Sequence, residues 1–177
     1  MLDGTDWTTV LVALATGLTA AAGPALLHFL EVRKERAGVR AALISEVVAL
    51  AGVIRSRRYC EDLGTAAMNL RLRAQASTPF TEPDEEDFRP SIPDQYNLIY
   101  RENASRLGCL KPAEAVDVVR FYQLVLAVIT DLSPGGALYE GTANADSFVE
   151  NRAMLIAALA IADRLAVKVG LSVNQED

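Results

Sequence analysis

The chain has 177 residues, of which 51% are apolar and only 6% are aromatic. This length suits one domain with one appendage and excludes two full catalytic domains, and the apolar composition excludes a disordered chain. The 17 basic and 23 acidic residues give a net charge of −6, which argues against a general nucleic-acid binder.

The N-terminal part of the chain contains an uncharged segment that runs from Trp7 to Leu30. A helix of these 24 residues is about 36 Å long, which is enough to cross the hydrocarbon core of a bilayer. The alternatives are a buried soluble helix and a cleaved signal peptide, but a signal peptide begins with basic residues, whereas Asp3 and Asp6 stand here. We therefore predict a transmembrane helix, with residues 1–30 forming a short tail and an anchor.

Basic residues follow the apolar segment directly. They are Arg33, Lys34, Arg36 and Arg40. Because basic flanks stay in the cytoplasm, they predict a single-pass protein of the inner (cytoplasmic) membrane with its N-terminus outside and its C-terminus inside. Each charge also attracts anionic lipid by about 1 kcal/mol, so the lipid bilayer is the first partner that we expect.

Small side chains recur every four residues along the apolar segment. They are Thr9, Ala13, Gly17, Ala21 and Ala25. Such a row lets two transmembrane helices approach closely, so it predicts a homo-oligomer that associates through this face. The alternative is a passive anchor, since alanine is common throughout the chain.

The remaining residues, 31–177, have helical periodicity and form the cytoplasmic domain. Apolar residues recur at three-, four- and seven-residue spacing over 31–76, which predicts one long helix or two helices end to end, with Gly64 as the expected break. An acidic, proline-rich loop is expected over 77–93, and a second loop over 133–147. The predicted fold class is all-α: an N-terminal transmembrane helix followed by an antiparallel bundle of about four helices.

Local signals mark the ends of the later helices. Asp94 is a candidate N-cap for a helix that Gly108 would stop in a left-handed conformation. Pro112 suits the first turn of the next helix. The last helix is expected to open with a capping box at Ser147 and to end at Gly170.

The residues that commonly carry catalysis do not cluster in this sequence. It has no nucleophile-elbow motif and no glycine-rich phosphate loop, and its one histidine, His28, falls at the membrane. Cys60 and Cys109 lack the spacing of a zinc site and are expected to be buried structural thiols, with a redox pair as the alternative. We therefore predict a protein that is not an enzyme, with no catalytic residue, no metal ion and no cofactor.

Charge is distributed unevenly along the cytoplasmic part. Residues 31–75 carry nine basic and five acidic residues, whereas residues 76–177 carry eight basic and sixteen acidic ones. Candidate ligands for an anion or a nucleotide phosphate are Arg55, Arg57, Arg58, Arg71 and Arg73. The candidate loop for a cytoplasmic protein partner carries Glu82, Asp84, Glu85, Glu86 and Asp87. The alternative is that these arginines pair with the acidic loop or face solvent.

Glu46 falls among Leu43, Val47 and Leu50, close to the apolar face of the first cytoplasmic helix. A buried carboxylate there would need an arginine partner, since desolvation otherwise raises its pKa. The alternative is a position at the edge of the apolar stripe.

A set of residues in the second half of the chain carries a resemblance. They are Tyr100, Asn103, Leu107, Gly108 and Leu110, followed by Phe121 and Tyr122. Their spacing resembles a pattern in uncharacterised small bacterial proteins that have one N-terminal membrane helix and a helical cytoplasmic domain. Over residues 1–132, this resemblance implies the same topology and a bacterial source, and it implies no function.

Two functional hypotheses follow from the sequence. The first is a non-enzymatic, membrane-anchored interaction or adaptor protein that self-associates and presents a surface to a cytoplasmic protein. The second is an oligomeric membrane effector of the toxin or antiphage-defence type, whose domain senses a signal or an anionic nucleotide and whose clustered spans disturb the bilayer. Neither hypothesis involves binding to nucleic acid.

Overall fold

The computed structural model describes residues 7–76, 85–93 and 95–170, and it describes side chains from Leu26 onward. These ranges form α-helices, one 3₁₀ helix and connecting segments, and their one β pairing is an isolated bridge between Glu86 and Thr142. The predicted all-α class is confirmed for this part of the chain.

The first helix, α1 (Trp7–Ser56), has 50 residues and is about 75 Å long. No side chain between Leu26 and Gly38 is buried, and Val39 is the first buried one. From there a buried stripe follows the helical period: Val39, Leu43, Ile44, Val47, Ala51 and Ile54. One continuous helix therefore first projects from the domain and then forms part of its core.

The break between the first two helices lies at Arg57 and Arg58, so the prediction of a break at Gly64 is wrong. The second helix, α2 (Tyr59–Ala76), follows directly in the chain. Arg58 has a φ of 56°, a left-handed conformation that interrupts the helical path without a glycine. Gly64 lies inside α2, where a β-carbon would lie 3.2 Å from Nε of Arg152. Glycine is suited to this position because the Arg152 guanidinium crosses α2 there.

The middle of the chain departs from the predicted helix boundaries. Helix α3 covers Leu98–Asn103 and continues into a 3₁₀ helix over Ala104–Cys109. Gly108 lies within that 3₁₀ helix and does not have a positive φ, so the predicted left-handed stop is wrong. Asp94, the predicted N-cap, lies outside the described residues.

The last helices begin and end close to the predicted positions. Helix α4 (Pro112–Asp131) has its proline in the first turn, as predicted. The predicted loop over 133–147 contains a short helix, α5 (Ala137–Glu140). Helix α6 (Ala145–Val169) begins two residues before Ser147, because the Asn144 side chain caps it by accepting from the Asp146 amide at 3.1 Å. As predicted, it ends at Gly170, and this residue is left-handed, with a φ of 73°.

Helix α6 is the centre of the domain and contacts α1, α2 and α4. Paired side chains give the helix directions: Arg40 meets Glu114 and Glu46 meets Tyr122, so α1 and α4 run the same way. Asp117 near the start of α4 meets Lys168 near the end of α6, so α6 runs the opposite way. Helix α2 also runs opposite to α6, because its Cys60 carbonyl accepts from Arg152 and its Arg71 meets Asp146. The predicted antiparallel bundle of four is therefore not confirmed, since α1, α2 and α4 all run opposite to α6.

Candidate functional site

An apolar cleft of about 100 Å³ opens where α1 ends. It is lined by the last turns of α1 and α4, the first residue of α2, and the segment from Pro90 to Pro93. Val53, at its edge, is 47% exposed, whereas Val128 on the facing helix is buried. Arg57 is the charged residue of this lining.

The sequence builds this cleft from a helix end and a proline-bracketed segment. The segment is fastened at Phe88, whose amide donates to the Leu138 carbonyl at 2.8 Å and whose ring meets Tyr59 edge-on at 6.2 Å. Pro90 and Pro93 have no amide hydrogen, so they add no unpaired donors to the apolar wall. Sequence reasoning missed this wall because it assigned 77–93 to an exposed acidic loop.

The size and lining of the cleft limit what it can hold. An apolar cavity of about 150 Å³ accommodates one benzene ring, and pockets for drug-sized ligands begin at about 300 Å³. The cleft therefore has room for one bulky apolar side chain and is too small and too apolar for a nucleotide.

The five candidate phosphate-binding arginines do not come together. Arg55 pairs with Asp163 at 2.6 Å and Arg71 with Asp146 at 2.8 Å, two carboxylates on α6. Arg73 pairs with Glu86 at 2.8 Å, which is the alternative anticipated from the sequence, a pairing with the acidic loop.

The remaining two arginines, Arg57 and Arg58, are exposed and have no ion-pair or hydrogen-bond partner for their side chains among the described residues. Along α2, Arg58 and Arg73 are about 20 Å apart, so one phosphate group cannot contact both ends of the set.

Arg40 belongs to the domain and not to the membrane flank where the sequence placed it. Its Nε and Nη2 donate to the two oxygens of Glu114 at 2.9 and 2.8 Å, and its Nη2 also reaches the Lys168 carbonyl at 3.4 Å. Glu114 is only 2% exposed. The hydrogen bonds from Arg40 hold the pKa of this carboxyl below its usual range, although burial alone would raise it.

The other flanking basic residues remain on the exposed part of α1. The Arg33 guanidinium lies 5.6 Å from the centre of the Phe29 ring. Lys34 and Arg36 are exposed, and the neighbouring Glu35 pairs with Arg106 of the 3₁₀ helix. The basic flank therefore consists of three residues, and an ion pair ties it to the domain.

Glu46 has partners that the sequence did not predict. Its two oxygens accept the backbone amides of Ile99 and Tyr100, both at 2.8 Å, and one of them also accepts the Tyr122 hydroxyl. The rings of Tyr100 and Tyr122 stack at 4.0 Å. Burial and the nearby Glu46 carboxylate raise the pKa of Tyr122. This cluster fixes the start of α3, because the carboxylate satisfies free amides of its first turn.

The candidate partner loop is partly attached to the domain. Glu82 and Asp84 lie outside the described residues. Glu86 is paired with Arg73, and Asp87 pairs with Arg89 at 3.0 Å. Glu85 is exposed. The described part of this loop therefore contributes less free acidic surface than its composition suggests.

The cysteines and the other candidate residues form no cluster in the described part of the chain. Cys60 and Cys109 are free and half-buried, and burial raises the pKa of Cys60. No group of three or more metal-binding side chains occurs among the described residues. His28 is exposed. The side chains of the small-residue row lie outside the described part of the structure: Thr9, Ala13, Gly17, Ala21 and Ala25.

One described helix is long and apolar enough to cross a membrane, by length and composition only. The stretch that satisfies this test, Leu26–Ser56, includes the buried core stripe that begins at Val39. From Leu26 to Gly38, α1 has no buried side chain. Comparisons with protein-family models, with curated proteins and with solved structures give no match.

Proposed function

We propose that this protein is a non-enzymatic, membrane-anchored adaptor that spans the inner membrane once, with its N-terminus outside and its helical domain in the cytoplasm. The observation that carries the proposal is the apolar surface of the projecting part of α1. Four large apolar side chains there are more than half exposed: Leu26 at 60%, Leu27 at 63%, Phe29 at 56% and Leu30 at 51%. A bilayer would cover this surface, together with the uncharged residues that precede it.

The same helix positions the apolar cleft relative to the membrane. Leu50 and Arg57 follow Leu30 by 20 and 27 residues, so the cleft lies about 30–40 Å along α1 from the end of the apolar segment. This distance suits a soluble cytoplasmic partner better than a lipid. The adaptor would thus hold a protein-binding surface at a defined height above the bilayer.

A membrane effector that senses an anionic nucleotide is the second candidate. The described residues do not favour it, since three of its five arginines are in ion pairs and the cleft is too small for a nucleotide. Self-association through the small-residue row is part of both proposals. The resemblance to uncharacterised bacterial membrane proteins is compatible with either.

Membrane extraction at alkaline pH tests the anchor. We expect the full chain to stay in the membrane pellet, and the double variant Leu11→Arg with Leu18→Arg to move to the supernatant. A charge at the centre of a transmembrane helix costs about 2.5–3.5 kcal/mol, and two such charges exceed what the apolar segment can offset. The matched control, Met68→Arg with Leu72→Arg, changes two exposed residues of α2 and should stay in the pellet. A full chain that is extracted like a soluble protein would overturn the proposal.

A further inference from the structure

We propose that the apolar cleft at the end of α1 docks an acidic segment of a soluble protein, which inserts one bulky apolar side chain between α1, α4 and the Pro90–Pro93 segment while its acidic residues meet Arg57 and Arg58. This inference rests on the proposed adaptor function and specifies the chemistry of the partner.

The cleft supplies the apolar half of the recognition. Val53, at the edge of the cleft, leaves nearly half of its surface in contact with water, and the facing side chains Ile129 and Tyr96 are half-buried. A volume of about 100 Å³ is smaller than the roughly 150 Å³ that holds a benzene ring, so it fits an aliphatic side chain such as leucine. Single large side chains that fill such pockets commonly dominate the affinity of protein interfaces.

The rim supplies the charged half. Arg57 lines the cleft, and Arg58 lies between it and the lining residue Tyr59. Of the nearby acidic residues, Asp163 pairs with Arg55, whereas Glu61 and Asp62 are exposed in the first turn of α2. Among the described residues Arg57 and Arg58 form no ion pair, and Arg57 is the charged residue that lines the cleft, in a protein whose net charge is −6. Charge complementarity selects an acidic partner.

The helix break brings these two halves together. Arg58 is the one non-glycine residue of the described chain with a positive φ, and a left-handed conformation of this kind is energetically costly for a side-chain-bearing residue. It places the two arginines at a turn between the helices and not along a helix face. Strained backbone of this kind is frequent at binding sites.

Peptide binding to the full chain in phosphatidylcholine nanodiscs tests the proposal. The probes are three pools of short fluorescent peptides: acidic with one central Leu, Ile or Met, acidic with a central Ser, and lysine-rich with the same apolar residues. We expect the first pool to bind, and each of the other two to bind at least about tenfold more weakly. Raising the ionic strength should weaken the binding of the first pool, because rim charges are screened by salt.

Variants distinguish binding at the cleft from a general loss of peptide binding. Arg57→Glu with Arg58→Glu, and separately Val53→Glu, should each weaken binding by about tenfold or more. The matched controls are Arg120→Glu and Val116→Glu, which change an exposed arginine and an exposed valine on α4 outside the cleft lining. Their peptide affinity should stay within about twofold of the parent's. Melting temperatures of all four variants identify any loss that comes from unfolding.

Three results would overturn the docking proposal: no binding of the acidic apolar pool, equal binding of the lysine pool, or equal losses in variants and controls. Binding of decanoate at the cleft without binding of any peptide would also overturn it. If alkaline extraction releases the chain from membranes, the same titration is run on the full chain without nanodiscs, so the two proposals fail separately.

Discussion

Arg40 illustrates at the scale of single residues how a side chain's role depends on a partner distant in sequence. Its spacing from Arg33, Lys34 and Arg36 indicated a membrane flank, and nothing local identified Glu114 as its partner 74 positions away. Glu46 is a parallel case, since its position near the apolar stripe indicated partial burial but not the amides that it accepts. Burial tendencies were readable from the sequence, whereas long-range pairings were not.

Replacing Arg40 by Met should lower the free energy of unfolding by about 3–5 kcal/mol, because it leaves the buried Glu114 carboxylate without its partner. The matched control is Arg55→Met on the same helix. Its partner Asp163 is 47% exposed, so the loss there should be below about 1 kcal/mol. Urea unfolding followed by circular dichroism of the full chain in nanodiscs measures both. Equal losses would show that the Arg40–Glu114 pair is not buried as described.

At the scale of elements, the helix ends at Pro112 and Gly170 were predicted, whereas Gly64 and Gly108 were wrongly predicted to end helices and the break after Ser56 was missed. Proline fixes φ at a helical value, which suits Pro112 at the start of α4, and glycine tolerates the positive φ that Gly170 has after α6. Both residue types can be recognised in the sequence. The break at Arg57 and Arg58 has neither glycine nor proline. The cleft beside the break was missed because the break itself was not predicted. It was also missed because residues 90–93, which form one wall of the cleft, were assigned to an exposed loop.

Glycine replacements test the position of that break. Gly52→Ala should raise the free energy of unfolding by about 1 kcal/mol, since a β-carbon there meets no atom within 4 Å. Gly64→Ala should also raise it, by less, because the flexible Arg152 side chain must shift by a few tenths of an ångström. Gly170→Ala should lower it by about 1 kcal/mol, since alanine disfavours a φ of 73°. A loss for Gly64→Ala comparable to that of Gly170→Ala would contradict a helical Gly64 beside an Arg152 side chain that can move.

At the scale of the whole molecule, α1 is one continuous helix whose later part forms the core and whose described side chains before Val39 are not buried. Composition and periodicity were sufficient to predict the helical class and the apolar N-terminal segment. They could not predict that α2 would run in the same direction as α1 and α4, because direction depends on which faces meet, and the pairings that decide it join residues far apart in sequence. Helix α1 sets the height of the cleft above the bilayer in the proposed adaptor.

Self-association through α1 is a prediction at this same scale. Native mass spectrometry of the full chain in mild detergent should give an oligomer that Gly17→Ile dissociates, since a β-branched side chain in the small-residue row keeps two helices apart. Leu18→Ile, the neighbouring position off that row, is the matched control and should leave the subunit count unchanged. A monomeric parent, or an oligomer indifferent to Gly17→Ile, would contradict association through this face.

Sidedness is the most direct test of the central proposal that α1 crosses the membrane. Two single-cysteine variants, Gly4→Cys and Ser56→Cys, are made in a Cys60→Ser, Cys109→Ala background and treated with an impermeant maleimide in bacterial spheroplasts. We expect Gly4→Cys to be labelled in intact spheroplasts, and Ser56→Cys, which is exposed on the domain, to be labelled only after permeabilisation. Equal labelling of both positions in intact spheroplasts, or protection of both until permeabilisation, would contradict a single span with the N-terminus outside.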